Sequence, residues 1–210
     1  MLSSVITEAW VHGWAVSRST PSPVVEPWGY RIDVGLPGHV FRHVLPEPDE
    51  ASVRKLCENV TESGAWLKVL AEPDDVARWI TPGWTVPDDP GFMMFTDLRA
   101  TPAPGLPPGY TAETSHGDGV LRVRILAADG SLAARGQIAP TGRTAVVDQI
   151  ETYEGHRRRG LGTAVMRRLE TAGAEAGAVT GVLSGTTEGR ALYASLGWHY
   201  QGPLTGVVRD

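Results

Sequence analysis

Apolar and polar positions follow two different periods along this chain. Between residues 4 and 17 apolar side chains recur every three or four positions, which predicts a helix, and between 28 and 36 they alternate, which predicts a strand. Further helices are predicted at 49–60, 73–80, 160–176 and 188–198. Further strands are predicted at 39–45 (a strand or a turn), 66–70, 91–98, 110–114, 120–126, 132–138, 144–152 and 178–184. The mixture predicts an α/β (α+β) fold.

The stretch 101–109 is the clearest linker, because its four prolines and two glycines can form neither a helix nor a central strand. It predicts an amino-terminal α/β half at 1–100 and a second unit at 110–210. The two halves share a weak echo, since Gly83-Trp84 aligns with Gly197-Trp198 and the predicted elements then follow the same order twice. Identities are few, so a degenerate repeat and a chance likeness both stay open.

Composition excludes several classes of function. The net charge of −5 argues against a general nucleic-acid binder. Cys57 is the only cysteine, and the histidines form no metal-binding spacing, so no metal is predicted. The start of the chain lacks a secretory pattern and no apolar run is long enough to span a membrane, which predicts a cytoplasmic protein without a membrane partner. The oligomeric state is open, and a dimer is one option.

The strand at 144–152 leads into Gly155-His156-Arg157-Arg158-Arg159-Gly160-Leu161-Gly162 and then into a helix. The first turn of a helix presents free N–H groups and the positive end of the helix dipole, and the arginines add charge suited to phosphate. A P-loop would need Lys and then Ser or Thr after its second glycine, and a dinucleotide fingerprint would need Gly or Ala in place of Val165. The turn therefore predicts a phosphate ligand of another kind.

Two motifs, which follow one another along the chain, resemble the signature motifs of a known family. Arg157-x-x-Gly160-x-Gly162 resembles the Arg/Gln-x-x-Gly-x-Gly/Ala signature of the GNAT superfamily of acyl-CoA-dependent N-acyltransferases, and Arg190-Ala191-Leu192-Tyr193-Ala194-Ser195-Leu196-Gly197-Trp198 resembles its carboxy-terminal motif. The resemblance spans residues 110–209. It implies a mixed, mostly antiparallel central sheet flanked by helices, in tandem if the first half is a degenerate copy. In place of the helices that commonly follow the first strand of that fold, only Ser115–Gly119 is available.

The resemblance also implies a site and a reaction. Acetyl-CoA would be the cosubstrate, and it would be held by the strand and the turn through Ile150, Glu151, Thr152, Arg157, Arg158, Arg159, Gly160, Leu161, Gly162 and Thr163. Tyr193 would protonate the leaving CoA thiolate. For the base that takes the amine proton, Asp148, Glu151 and Glu154 are candidates, and Glu151 is preferred. Strand alternation is expected to send Asp148 and Glu151 to opposite faces.

The activity implied is N-acetyltransfer to a primary amine by direct attack in a ternary complex, with an acceptor expected to be a small molecule. The alternatives are a non-catalytic module that binds acyl-CoA as a sensor or partner-binding subunit, and a nucleotide-binding protein of another family. The residue pattern at 43–48, His43-Val44-Leu45-Pro46-Glu47-Pro48, lacks glycine, so the amino-terminal half is expected to bind no CoA. That half is expected to supply part of the acceptor pocket, with Trp10, Trp14 or Trp79 as apolar wall.

Overall fold

The computed structural model describes residues 2–89 and 91–210. The helices of the described residues are α1 (Leu2–Ser17), α2 (Glu50–Asn59), α3 (Pro73–Trp79), α4 (Leu161–Glu175) and α5 (Thr187–Ser195). The strands are β1 (Val24–Glu26), β2 (Gly29–Leu36), β3 (His39–Leu45), β4 (Trp66–Val69), β5 (Trp84–Thr85), β6 (Gly91–Asp97), β7 (Tyr110–Gly117), β8 (Val120–Ala127), β9 (Leu132–Thr141), β10 (Thr144–Thr152), β11 (Thr180–Gly185) and β12 (His199–Arg209). No helix in this part of the chain has the length and apolar character to cross a membrane.

All the strands belong to one sheet, in the order β1-β2-β3-β4-β12-β6-β11-β10-β9-β8-β7, with β5 paired to the end of β12. Among the strands described, two neighbouring pairs run parallel, β3 with β4 and β10 with β11. Each of these pairs is joined through a helix, α2 or α4, as a parallel connection requires. The predicted fold class, a mixed and mostly antiparallel sheet flanked by helices, is confirmed.

The two halves of the chain exchange strands at the centre of the sheet. β6 precedes the linker, yet it lies between β11 and β12 and pairs with both. The carboxy-terminal part of β12, which belongs to the second half, pairs in turn with β4 of the first half through Thr205 to Val208. A cut within 101–109 would therefore remove a central strand from the second unit, and the division of the chain at this linker stays a prediction.

Helices cover both faces of the second unit. On one face α4 packs against β8, β9 and β10 over an apolar core that includes Val165 and Leu169, both fully buried. On the other face lies α1, whose Trp10 and Trp14 are 1% and 4% exposed. The connection between β7 and β8 is a short turn without a helix. Helix α1 of the first half covers this face of the second unit's sheet instead. Both tryptophans belong to the core, so they offer no free apolar wall, and Trp79 packs in the separate core around α2.

A bulge in β10 changes the direction of its carboxylates. Asp148 pairs with Gln137 and Glu151 pairs with Arg135. Glu151 is three residues after Asp148, whereas Arg135 is two residues before Gln137, so β10 contains one extra residue at this point. Gln149 lies in the bulge and has a left-handed backbone, with φ +55°. Asp148 and Glu151 consequently point to the same face, the one covered by α1, and the expectation of opposite faces was wrong because alternation holds only for an unbulged strand.

Candidate active site

The parallel pair β10–β11 opens into a gap at one end. Pairing runs only from Thr144–Thr180 to Val146–Val182, although β10 continues to Thr152 and β11 to Gly185. Beyond residue 146, the described residues place no strand against the edge of β10 that faces β11. This edge can accept an extended ligand as an added strand would be accepted.

The turn after β10 leaves the start of α4 free for an anion. Gly160 is the N-cap at φ +76°, and no side chain caps the helix. Arg158 also has a left-handed backbone, at φ +61°, which is a strained conformation for a side chain of this size. The first-turn amides of α4 therefore have no side-chain cap, as expected of a phosphate site.

A cavity of about 630 Å³ joins the gap to this helix terminus. Nine of the ten residues predicted to bind the cosubstrate line it, and they are Ile150, Glu151, Thr152, Arg157, Arg158, Gly160, Leu161, Gly162 and Thr163. Tyr193 lines it as well, together with Thr186, Glu188, Gly189, Ala191 and Leu192 of α5 and its cap. Residues that are about forty positions apart in sequence are thus brought to one cavity.

Arg159 is the predicted residue that does not line the cavity. Its Nη1 donates to the hydroxyl of Tyr110 at 3.1 Å, and that hydroxyl also lies 2.9 Å from Nδ1 of His156. The structure does not bring Arg159 to the cavity with Arg157 and Arg158, and its part in binding the cosubstrate stays a prediction. Arg159 holds the turn against β7 at its first residue.

The cavity entrance carries an ion pair. Nη1 of Arg157 lies 3.0 Å from Oε1 of Glu188, and Nε of Arg157 donates to the carbonyl of Thr152 at 3.2 Å. Glu188 was not predicted as a site residue. Its position at the start of α5, five residues before Tyr193, was the only signal in the sequence. An anionic ligand at the start of α4 would compete with Glu188 for Arg157.

We expect Glu188→Gln to tighten CoA binding about threefold, because the exposed pair is weak and its removal frees Arg157 for the ligand. Isothermal titration calorimetry with CoA measures this, and Glu175→Gln at the far end of α4 is the matched control for loss of one carboxylate. Weaker binding in Glu188→Gln than in the control would show that Glu188 assists the ligand and does not compete with it.

Tyr193 lies in the wall of the cavity, with 7% of its surface exposed. A Cβ at Gly185 or at Gly189 would lie 2.9 Å from its Cε2, so these two glycines make room for the ring. No group in the described part of the chain is hydrogen bonded to its hydroxyl. Burial, together with the charge of Asp148, raises its pKa to about 12. The hydroxyl is therefore protonated at neutral pH and available to a ligand.

The candidate bases differ in their partners. Asp148 accepts from Ser17 Oγ at 2.8 Å, from the guanidinium of Arg18 and from the backbone N–H of Gln149, so it clamps α1 to the bulge. Glu151 pairs with Arg135 at 2.8 Å and is 43% exposed. Glu154 lies exposed in the turn. Asp148 is thus a structural residue, and Glu151 is the carboxylate at the gap with one side open to solvent.

Comparison with known proteins places this site in a family. Residues 93–198 match the model of the acetyltransferase (GNAT) family. That match begins within β6, the strand exchanged from the first half. No curated protein sequence matches the chain.

Solved structures share the fold. A GCN5-related N-acetyltransferase from Kribbella flavida has a TM-score of 0.70 at 19% identity, over 100% of this chain and 96% of that one. A GNAT-family protein from Novosphingobium aromaticivorans DSM 12444 gives 0.57 at 18%, over 97% and 96%. A tandem GNAT protein of the clavulanic acid biosynthesis pathway gives 0.53 at 14%, over 68% and 62%. At such identities the likeness concerns the fold alone.

Proposed function

Because the chain belongs to the acetyltransferase (GNAT) family, we propose that it is an N-acetyltransferase that moves an acetyl group from acetyl-CoA to a primary amine of a small-molecule acceptor. The observation that carries this proposal is the single cavity in which an uncapped helix terminus, an open strand edge and the free hydroxyl of Tyr193 meet. A non-catalytic acyl-CoA module would have no use for that hydroxyl, and it is not favoured.

The residues present suit each part of acetyl-CoA. The first-turn amides of α4 and the guanidinium groups of Arg157 and Arg158 would bind the pyrophosphate. The free edge of β10 at Ile150–Thr152 would hydrogen bond the pantetheine arm. Acetyl-CoA supplies the thioester that the amine attacks directly in a ternary complex, and Tyr193 donates a proton to the departing sulfur.

The acceptor would approach from the face covered by α1, since α4 and α5 border the cavity on the other side. Glu151 points to the α1 face, because it pairs with Arg135 of the neighbouring strand β9, which lies on that face. Its side chain is 43% exposed and lines the cavity, so an amine in the gap can reach the carboxylate beside Arg135. We therefore propose Glu151 as the base.

The first half of the chain has the matching elements without the matching site. β3 and β4 stay paired to their ends, from Arg42–Trp66 to Leu45–Val69, so no gap opens. The N-terminus of α2 is capped by Asp49, whose carboxylate accepts a hydrogen bond from the N–H of Ser52 at 2.7 Å. A pyrophosphate would meet a carboxylate where α4 offers free amides.

We expect titration of the intact protein with acetyl-CoA to give one site per chain and to be followed, once amines are added, by release of CoA thiol. Calorimetry measures the first and a thiol reagent the second, with hydrolysis in the absence of amine as the control. Two sites per chain would contradict the assignment of the first half. Tight binding without transfer to any amine of a broad panel would favour the non-catalytic module.

A further inference from the structure

A basic cluster lies where the end of α1 crosses β3 and β4. We define the basic cluster as Arg18, His39, Arg42 and Lys68, with Trp14 and Trp66 between them. The guanidinium carbon of Arg42 lies 3.5 Å from the centre of a Trp14 ring, and that of Arg18 lies 5.5 Å from it. The Nζ of Lys68 lies 4.6 Å from the centre of a Trp66 ring. Aromatic faces thus separate the cations and hold them in place.

Arg42 and His39 of the basic cluster are hydrogen bonded to each other. Nε of Arg42 donates to Nε2 of His39, and Nη2 lies at the same distance from it, 3.1 Å. Arginine only donates, so Nε2 carries no proton and His39 is neutral. Burial and the charges of Arg42, Lys68 and Arg18 lower the pKa of His39 to about 3, which agrees with that tautomer. The histidine therefore accepts from Arg42 without compensating its charge.

The cluster holds more positive charge than the protein neutralises. The carboxylate that acts on Arg42 is Asp148, and Arg18 is already paired with it. No ion pair of the described residues includes Arg42 or Lys68, and Arg42 is only 6% exposed. The pKa of Lys68 falls to about 7 and that of Arg42 to about 9, from burial first and then from like charge. A buried charge without a counter-ion costs free energy, and an anion would recover it.

The cluster is connected to the gap and is open to solvent. Arg18 contacts Asp148 at the bulge of β10, and Glu151 of the cavity wall follows Asp148 by three residues on the same strand. His39, Trp66 and Lys68 are half-buried and border the outside. Gly206 of β12 leaves room for the lysine, since a Cβ there would lie 3.0 Å from its Nζ. An acceptor on the α1 face could place its amine at the gap and another group at the cluster.

We propose that the basic cluster binds an anionic group, a carboxylate or a phosphate, of the acceptor whose amine is acetylated. The proposal rests on the proposed function for its acceptor role. Arg42 and Lys68 are the binding residues, and Arg18 with Asp148 fixes the edge of the site nearest the gap. The acceptor class is therefore a small molecule with a primary amine at one end and an anionic group at the other.

The anion site can be tested without any reaction. Inorganic phosphate is the probe, and the melting temperature is compared in phosphate and in chloride at equal ionic strength. We expect a phosphate-specific rise in wild type that is smaller in Lys68→Met, because that variant loses only the phosphate bound at the basic cluster. Lys55→Met is the matched control, since Lys55 is the other lysine of the chain and lies exposed on α2. Phosphate bound at the Arg157 turn is unaffected by either variant, so an equal rise in all three proteins would overturn the proposal.

The acceptor role is tested with matched amines, β-alanine against β-alaninamide and phosphoethanolamine against ethanolamine. We expect transfer to favour the anionic member of a pair, and Lys68→Met to raise its KM about tenfold, the loss expected for one charged hydrogen bond. The KM of the neutral member and the affinity for CoA should not change. Preference for the neutral members would overturn the acceptor role. A Lys68-dependent phosphate effect without any acetyl transfer would support the anion site and reject the proposed function.

Discussion

Tyr193→Phe is expected to lower the rate constant for acetyl transfer by about 100-fold, the lower end of the range for loss of a general acid. CoA affinity should stay within about twofold, because the hydroxyl would act on the departing sulfur and only the transition state needs its proton. The ring fits between Gly185 and Gly189, and phenylalanine keeps that packing. The substitution therefore removes one oxygen and little else.

Single-turnover measurements with acetyl-CoA and an amine acceptor separate chemistry from product release, and calorimetry gives the affinity for CoA. Tyr200→Phe is the matched control, since Tyr200 lies 45% exposed on β12. Because the pKa of Tyr193 is raised to about 12, the hydroxyl stays protonated through the usual assay range and should add no downward limb near neutral pH. An unchanged single-turnover rate would reduce Tyr193 to a packing residue.

The sequence predicted the parts of the site that depend on local geometry. A strand, a glycine turn and a helix are encoded by neighbouring residues, and nine of the ten residues predicted to bind the cosubstrate line one cavity. Their part in binding stays a prediction. Tyr193 followed from a second local motif. The bounds of the helices were also close, since capping residues such as Asp49 mark them in the sequence.

Features that depend on pairing between distant strands were missed. The bulge at Gln149 is a property of β10 against β9, and no residue near it signals an extra step. β6 pairs with β11 and β12 of the second half, and the end of β12 pairs with β4 of the first half, although these strands are far apart in sequence. The basic cluster draws on the residue that follows α1 and on β3 and β4, so its four side chains are scattered along the sequence.

Gly162→Asp is expected to abolish CoA binding, with a loss of at least about 100-fold in affinity. Gly162 is the second residue of α4, and a Cβ there would lie 3.1 Å from Leu192 Cδ2 and 3.5 Å from Thr152 Oγ1, in the wall of the cavity. The carboxylate would stand at the helix terminus where the pyrophosphate is expected. An acidic residue in the first turn favours a helix, so the fold should survive.

Calorimetry with CoA measures the loss, and circular dichroism with thermal melting verifies the fold. Gly105→Asp is the control for the added charge, because a Cβ at Gly105 meets nothing within 4 Å and the residue lies in the linker. Gly162→Ala separates bulk from charge. Its methyl group requires Leu192 to move by only a few tenths of an ångström, so its affinity should fall between wild type and Gly162→Asp. A folded Gly162→Asp protein with wild-type affinity would mean that CoA binds elsewhere, and the assignment of the turn would be withdrawn.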